Sequence, residues 1–202
     1  MKKIKLILSI SVAICFMSAC SSSQFSVNDF ERSIITAEQW GSMPAKDSLA
    51  KKHDIKWITL HHQGEPFPQG KDHIKYLRNL QSWSRSEKKW IDIPYHYIID
   101  LEGKVYEGRK INYAGDTNTE YDPTGHALIE VVGNFEEVEP NQLQLDAVVN
   151  TMTWLTIKYN VPIDSIRGHK DYSKITVCPG KYLYRYLQNK YIHNEVRKRL
   201  AR

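Results

Sequence analysis

Lys56-Trp57-Ile58-Thr59-Leu60-His61 is a short run of β-branched, aromatic and aliphatic residues, and it predicts a strand that ends on a histidine pair, His61-His62. On either side of it the chain alternates between strand and helix patterns. Ile74, Leu77, Leu80, Gln81 and Trp83 follow at helical spacing. Tyr95 to Ile99 and Val105-Tyr106 flank Asp100-Leu101-Glu102-Gly103-Lys104, which predicts a β-hairpin with a glycine-containing turn. Ala127 to Val132 predicts another strand, apolar except for Glu130. After Pro140, Leu145, Val148, Val149, Met152, Leu155 and Tyr159 lie mostly three or four apart and form the apolar stripe of a helix, which Asn160 and Pro162 stop. A final helix is expected from Tyr182 to Leu200. Strands interleaved with helices predict an α/β fold: a mixed β-sheet flanked by α-helices, in a single domain over residues 34–202.

The start of the chain reads differently. Lys2, Lys3 and Lys5 precede a mostly apolar run from Leu6 to Met17, then Ser18-Ala19. That order predicts a secretory signal over residues 1–19, too short to span a bilayer as a stable helix. Phe16-Met17-Ser18-Ala19-Cys20 resembles a bacterial lipobox, whose cysteine is lipidated and becomes the new N-terminus. An ordinary signal with an incidental cysteine is the alternative. Lipid on Cys20 would hold the protein to a membrane in the bacterial cell envelope, and Ser21 in place of aspartate favours the outer membrane where the source has one. Residues 20–33, polar and serine-rich at their start, are expected to be a tether.

Removing the signal simplifies the cysteine and charge accounts. Of three cysteines, Cys15 leaves with the signal and Cys20 carries lipid, so Cys178 stands alone without a disulfide partner. The mature chain carries 25 basic and 23 acidic residues, net +2, which does not suggest nucleic-acid binding. Basic residues do gather near the C-terminus, where a solvated helix face is preferred over attraction to anionic polymers. The protein is expected to be a monomer.

Two places gather metal-type ligands. One is His61-His62; the other is Gly168-His169-Lys170-Asp171 followed by Thr176-Val177-Cys178-Pro179-Gly180. Catalytic zinc uses three nitrogen, sulfur or carboxylate ligands and keeps one position open, and zinc would account for a lone thiolate in an exported protein. Each piece alone is weak, because the spacing matches no compact metal motif.

Taken together the segments resemble the zinc amidase family that includes phage amidase lysozymes, bacterial N-acetylmuramoyl-L-alanine amidases and animal peptidoglycan recognition proteins. The resemblance rests on four blocks in order: Ile35 to Gly41, Ile58 to His62, Asp92 to Ile99 with Gly103 to Arg109, and Gly168 to Asp171 with Thr176 to Gly180. It implies metal ligation of Zn2+ by His61, His169 and Cys178, His61 being preferred to His62 on the resemblance alone. It also implies hydrolysis of the amide between N-acetylmuramic acid and L-alanine, with peptidoglycan or a muropeptide as substrate.

Three residues are expected to be catalytic. Glu130 interrupts an apolar strand, so its carboxylate needs a partner or a shifted pKa, and it falls where bacterial relatives carry a catalytic glutamate. The alternative is a glutamate facing solvent by strand alternation. Tyr95 matches a tyrosine that assists catalysis in the phage branch, or else packs as a core aromatic. Thr176 matches a position where relatives carry threonine or lysine against the reacting carbonyl. His62 and His96 should point away from His61 and Tyr95, since strand side chains alternate. His126 shares a face with Glu130 and is a candidate for the cleft. Arg109 is either a carboxylate clamp or a surface residue. Two departures from the family pattern stand out: Gln63 replaces threonine or serine, and Leu128 replaces glycine and is expected to narrow the cleft. A non-catalytic muropeptide-binding lipoprotein, or a lipoprotein with structural zinc, are the competing readings.

Overall fold

The computed structural model describes residues 25–201. The expected signal over 1–19 and the expected lipidation site at Cys20 lie outside the described residues. In chain order the elements are α1 (Val27–Ser33), β1 (Trp57–His62), α2 (His73–Ser86), β2 (Tyr97–Ile99), β3 (Val105–Glu107), β4 (His126–Val131), α3 (Gln142–Tyr159), β5 (Ile166–Gly168), α4 (Lys181–Gln188) and α5 (Tyr191–Leu200). The five strands form one mixed sheet in the order β3-β2-β4-β1-β5. β1 pairs in parallel with both β4 and β5, β2 pairs in parallel with β4, and only the β2–β3 hairpin is antiparallel.

Parallel strands in the middle of such a sheet are covered on both faces, and the burial follows. Every residue of β4 is buried. Ile58, Leu60, Ala127, Ile129 and Val131 pack with α3, α4 and α5 in the larger core. The opposite face carries Ile98 with Leu77 of α2 in a smaller cluster. Glu130 therefore lacks alternating polar neighbours because its strand has no solvent face.

α3 is buried on more than the expected stripe. Ala147, Thr151, Thr153 and Trp154 are buried with Leu145, Val148 and Met152, because α1 and α5 cover the sides the sheet leaves open. Thr151 and Thr153 satisfy their hydroxyls on the carbonyls of Ala147 and Val149, four residues back. An Asn141–Gln144 capping box starts the helix, and Asn160 in the left-handed region ends it.

Two expectations change. Residues 27–33, expected as tether, form α1, because Phe25, Val27 and Phe30 supply an apolar edge that the polar composition hides. Phe30 lies 5.9 Å from the Trp154 ring. The single helix expected from Tyr182 to Leu200 is two helices, broken where Lys190 takes φ 63°. The break redirects the chain, so that Leu183 and Leu187 before it and Ile192 and Val196 after it reach the same core.

His96 shows how firmly the interior sets a protonation state. Its Nδ1 accepts from the Leu128 N–H at 2.8 Å and its Nε2–H donates to the Tyr113 carbonyl at 2.9 Å. Burial pushes it down to about 3. Because the folded pKa lies below the unfolded value near 6.5, the stability it contributes is complete above about pH 6.5 and is lost as pH falls toward 3. Denaturation of the metal-free protein between pH 6 and 4 should show stability falling by about 1.4 kcal/mol per pH unit from this group. The His96→Asn chain should show a correspondingly shallower slope; an unchanged slope would contradict the assignment.

Candidate metal centre and cleft

In-register pairing of β1 with β4 sets His61 directly beside Glu130, both on the face away from α3 and both near the strands' C-terminal ends. Ligands of open α/β sheets sit beyond those ends. There the chain opens a cavity of about 420 Å³. His61, Glu130, Tyr95, His169, Thr176 and Cys178 line it together, so the separate sequence segments meet at one place.

β5 delivers His169 at its end, in a short turn where the Asp171 carboxylate accepts from the Gly168 N–H at 2.8 Å. The returning loop is tied to that turn by Lys170 N–H donating to the Cys178 carbonyl at 2.9 Å. Gly180 closes the loop at φ +87°, and a Cβ there would meet the Phe135 backbone at 2.5 Å. Donor atoms of His61, His169 and Cys178 all lie within 4.8 Å of one another. Cys178 Sγ is 3.6 Å from His61 Nδ1, and the His62 N–H points at the sulfur from 3.4 Å.

Two imidazoles and a thiol so close, all buried, form a donor set that fits zinc. Burial lowers His61 well below its ordinary value and takes His169 down to about 4, so both rings are neutral and have a lone pair to give. Burial also pushes the Cys178 thiol up to about 12, and only a cation in the site would make the thiolate favourable. His61 Nε2 finds no hydrogen-bond partner, and Nδ1 meets only the sulfur. His169 is anchored from behind: Thr119 Oγ1 lies 2.8 Å from its Nε2, which leaves Nδ1 for the centre.

Glu130 is 2% exposed, and burial pushes it up to about 8. The Tyr76 hydroxyl, from α2, contacts both carboxyl oxygens at 3.0 and 3.1 Å. The reading of Glu130 as a solvent-facing strand residue is thereby replaced. Tyr95 packs its ring 5.2 Å from His61, and burial holds its phenol well above the ordinary tyrosine range, so it keeps its proton. Thr176 Oγ1 accepts from the Cys178 N–H at 3.1 Å, which shapes the thiol loop and leaves its own hydrogen free for the cleft.

The remaining candidates are structural. His62 points to the opposite face, where its Nδ1 accepts from the Phe135 N–H at 3.2 Å. His126 shares Glu130's face but sits at the far end of β4, bonded to Thr59 Oγ1 at 2.8 Å and stacked on Trp57, outside the cleft. Arg109 is neither clamp nor surface residue: at 2% exposure it donates to the carbonyls of Ile93, Asp92 and Ala114 and pairs with Asp116. Leu128 does not narrow the cleft; it fills the space left by Gly115, where any side chain would collide with it. Gln63 does line the cavity, its carbonyl accepting from the Gly133 N–H.

Sequence reasoning missed the walls. Tyr76, Leu80 and Trp83 form one side with Trp90, and Thr117 to Thr119 form the other. Leu80 and Trp83 belong to the helical spacing already expected of α2, and Tyr76 joins them at i, i+4 and i+7, a face that periodicity could have found. The threonine loop carries no comparable signal.

Fold and site together define an α/β domain with a buried two-histidine, one-cysteine centre at the floor of a cleft. Residues 51–181 match the family model described as N-acetylmuramoyl-L-alanine amidase. The chain is 29% identical to peptidoglycan recognition protein 1 of Mus musculus, over 77% of this chain and 86% of that protein. It is 30% identical to peptidoglycan-recognition protein SD of Drosophila simulans, over 77% and 84%. A crystal structure of tracheal cytotoxin bound to the ectodomain complex of recognition proteins LCa and LCx superimposes with a TM-score of 0.68 at 25% identity, covering 77% of this chain and 94% of that one. The chain belongs to the N-acetylmuramoyl-L-alanine amidase family, which unites catalytic amidases with recognition proteins that bind without cutting.

Proposed function

We propose that this chain is one of the family's catalysts: a zinc-dependent N-acetylmuramoyl-L-alanine amidase acting on peptidoglycan or its fragments from a lipid anchor at Cys20 in the cell envelope. One observation carries the reading. The complete His61, His169 and Cys178 donor set shares a cleft floor with a buried carboxyl, Glu130, that no cation among the described residues neutralises. A site built only to grip a muropeptide needs neither.

His61, His169 and Cys178 would hold the zinc, which when bound supplies Lewis acidity and an activated water. The chain's own groups manage the protons. Glu130, oriented through the Tyr76 hydroxyl, takes a proton on a carboxyl oxygen and returns it to the alanine nitrogen as the amide breaks. Burial with no cation nearby favours the protonated carboxyl that gives the proton back, and a dication bound beside it would favour the carboxylate that takes it. Tyr95 and Thr176 keep hydroxyl hydrogens at the cleft floor, placed to donate to negative charge that develops on the carbonyl oxygen. Trp83 and Trp90 give the wall flat apolar surface for the substrate.

The test is mass analysis of peptidoglycan digested with the purified protein, with and without chelator. Expected are muramic acid carboxyl termini paired with free L-alanine amines, and their loss on chelation. Inert digests accompanied by tight muropeptide binding would instead make the chain a recognition protein. The same aromatic wall would then serve binding alone.

A further inference from the structure

We infer that Thr117 is a substrate-binding hydrogen-bond donor whose proton is directed into the cleft by the metal centre, through a relay that runs from His169 by way of Thr119. The inference rests on the zinc reading above. The loop between β3 and β4 lies across the His169 turn and is fastened to it twice. Thr119 Oγ1 meets His169 Nε2 at 2.8 Å, and Glu120 accepts from the Ser173 hydroxyl at 2.7 Å and the Lys174 N–H at 3.0 Å. Tyr121 then packs its ring 5.1 Å from His169.

The direction of the relay follows from counting hydrogens. With Nδ1 given to a metal, His169 carries its proton on Nε2 and must donate. Thr119 Oγ1, the nearer oxygen, accepts it. The Thr119 hydroxyl then turns its own hydrogen to Thr117 Oγ1, 2.9 Å away, which already accepts from the Thr119 N–H at 3.2 Å. Both acceptor positions of Thr117 are now filled. A hydroxyl has two acceptor positions and one hydrogen, so only the hydrogen is left, and Thr117 lines the cleft. It meets there an acceptor such as an amide or acetamido carbonyl oxygen of a muropeptide.

Without metal, His169 is free to place its proton on Nδ1, and the relay reverses. Nε2 then accepts from Thr119 at 2.8 Å, and the Thr117 hydrogen turns inward to Thr119 Oγ1, 2.9 Å away. Metal loading thus prepares the cleft wall for substrate, and Thr119 positions the ligand that does it. Thr119 is a positioning residue, and Thr117 is the one that touches substrate.

Three measurements on the full chain test this. Zinc affinity by chelator competition should fall 10–100-fold in Thr119→Val and recover in Thr119→Ser. Nitrogen chemical shifts of His169 should show the proton on Nε2 in the zinc-loaded protein. Muramyl dipeptide affinity, measured in a Glu130→Gln background to prevent turnover, should drop about fivefold on Thr117→Val with zinc present and stay unchanged without it. Equal zinc affinity for wild type and Thr119→Val overturns the relay while leaving the metal reading intact. So does a Thr117→Val loss of the same size with and without zinc, which would make that hydroxyl a fixed part of the wall. A wild-type chain that takes up no zinc defeats both.

Discussion

The Cys178→Ser chain is expected to lose metal and turnover together. Serine preserves the shape of the side chain but not its chemistry, because the hydroxyl stays protonated where a thiolate is needed. The surroundings give it no help. Cys178 is buried against His61 and the His62 backbone, and burial already disfavours any anion there that lacks a cation. Zinc sites bind with about 10–16 kcal/mol, so a thiolate's share is several kcal/mol, and zinc affinity should fall by at least roughly 10²–10³. Metal content should drop from about one zinc per chain toward none, measured by elemental analysis after dialysis, and amidase turnover with it. The fold should survive, since neither core cluster is touched, and an unchanged circular dichroism spectrum checks that. Full activity in this variant would remove Cys178 from the centre.

The second large effect separates holding metal from using it. Glu130→Gln keeps the size of the side chain and an oxygen for the Tyr76 hydroxyl, but removes the proton acceptor. Zinc content should stay near that of wild type, while kcat falls by about 10²–10⁴, the usual contribution of a general acid–base. Burying a neutral amide in place of a carboxyl with a raised pKa should cost little stability. Tyr95→Phe is the control on the assignment. Should Glu130→Gln turn over normally while Tyr95→Phe does not, the proton acceptor is not Glu130. Loss of zinc from Glu130→Gln would show instead that the carboxyl supports the centre.

Much of the site was legible residue by residue. The strand ending in His61-His62, the isolated Glu130 and the unpaired Cys178 each stood out against their local patterns. The expectation that His62 faces away from His61 followed from alternation alone, and the register bears it out. Arg109 was not legible. An arginine after a hairpin has no sequence mark that separates a ligand clamp from a buried cross-brace; only four partners on two other segments make it the latter. α1 was missed for a related reason, since its few apolar residues matter only because Trp154 lies opposite.

What the sequence by itself determined is the kind of elements, their order, and the residue types that could hold a metal or move a proton. Those follow from periodicity and from the chemistry of side chains, which are local. The tertiary structure decided which of these groups meet. Parallel pairing of β1 with β4 and β5 brings His61, Glu130 and His169 to one end of the sheet, although more than a hundred residues separate the first from the last. It also decided their protonation, because desolvation depends on what the whole fold lays over a group. A sequence names the donors; only the folded interior raises the Glu130 carboxyl above its ordinary value and joins Thr119 to His169.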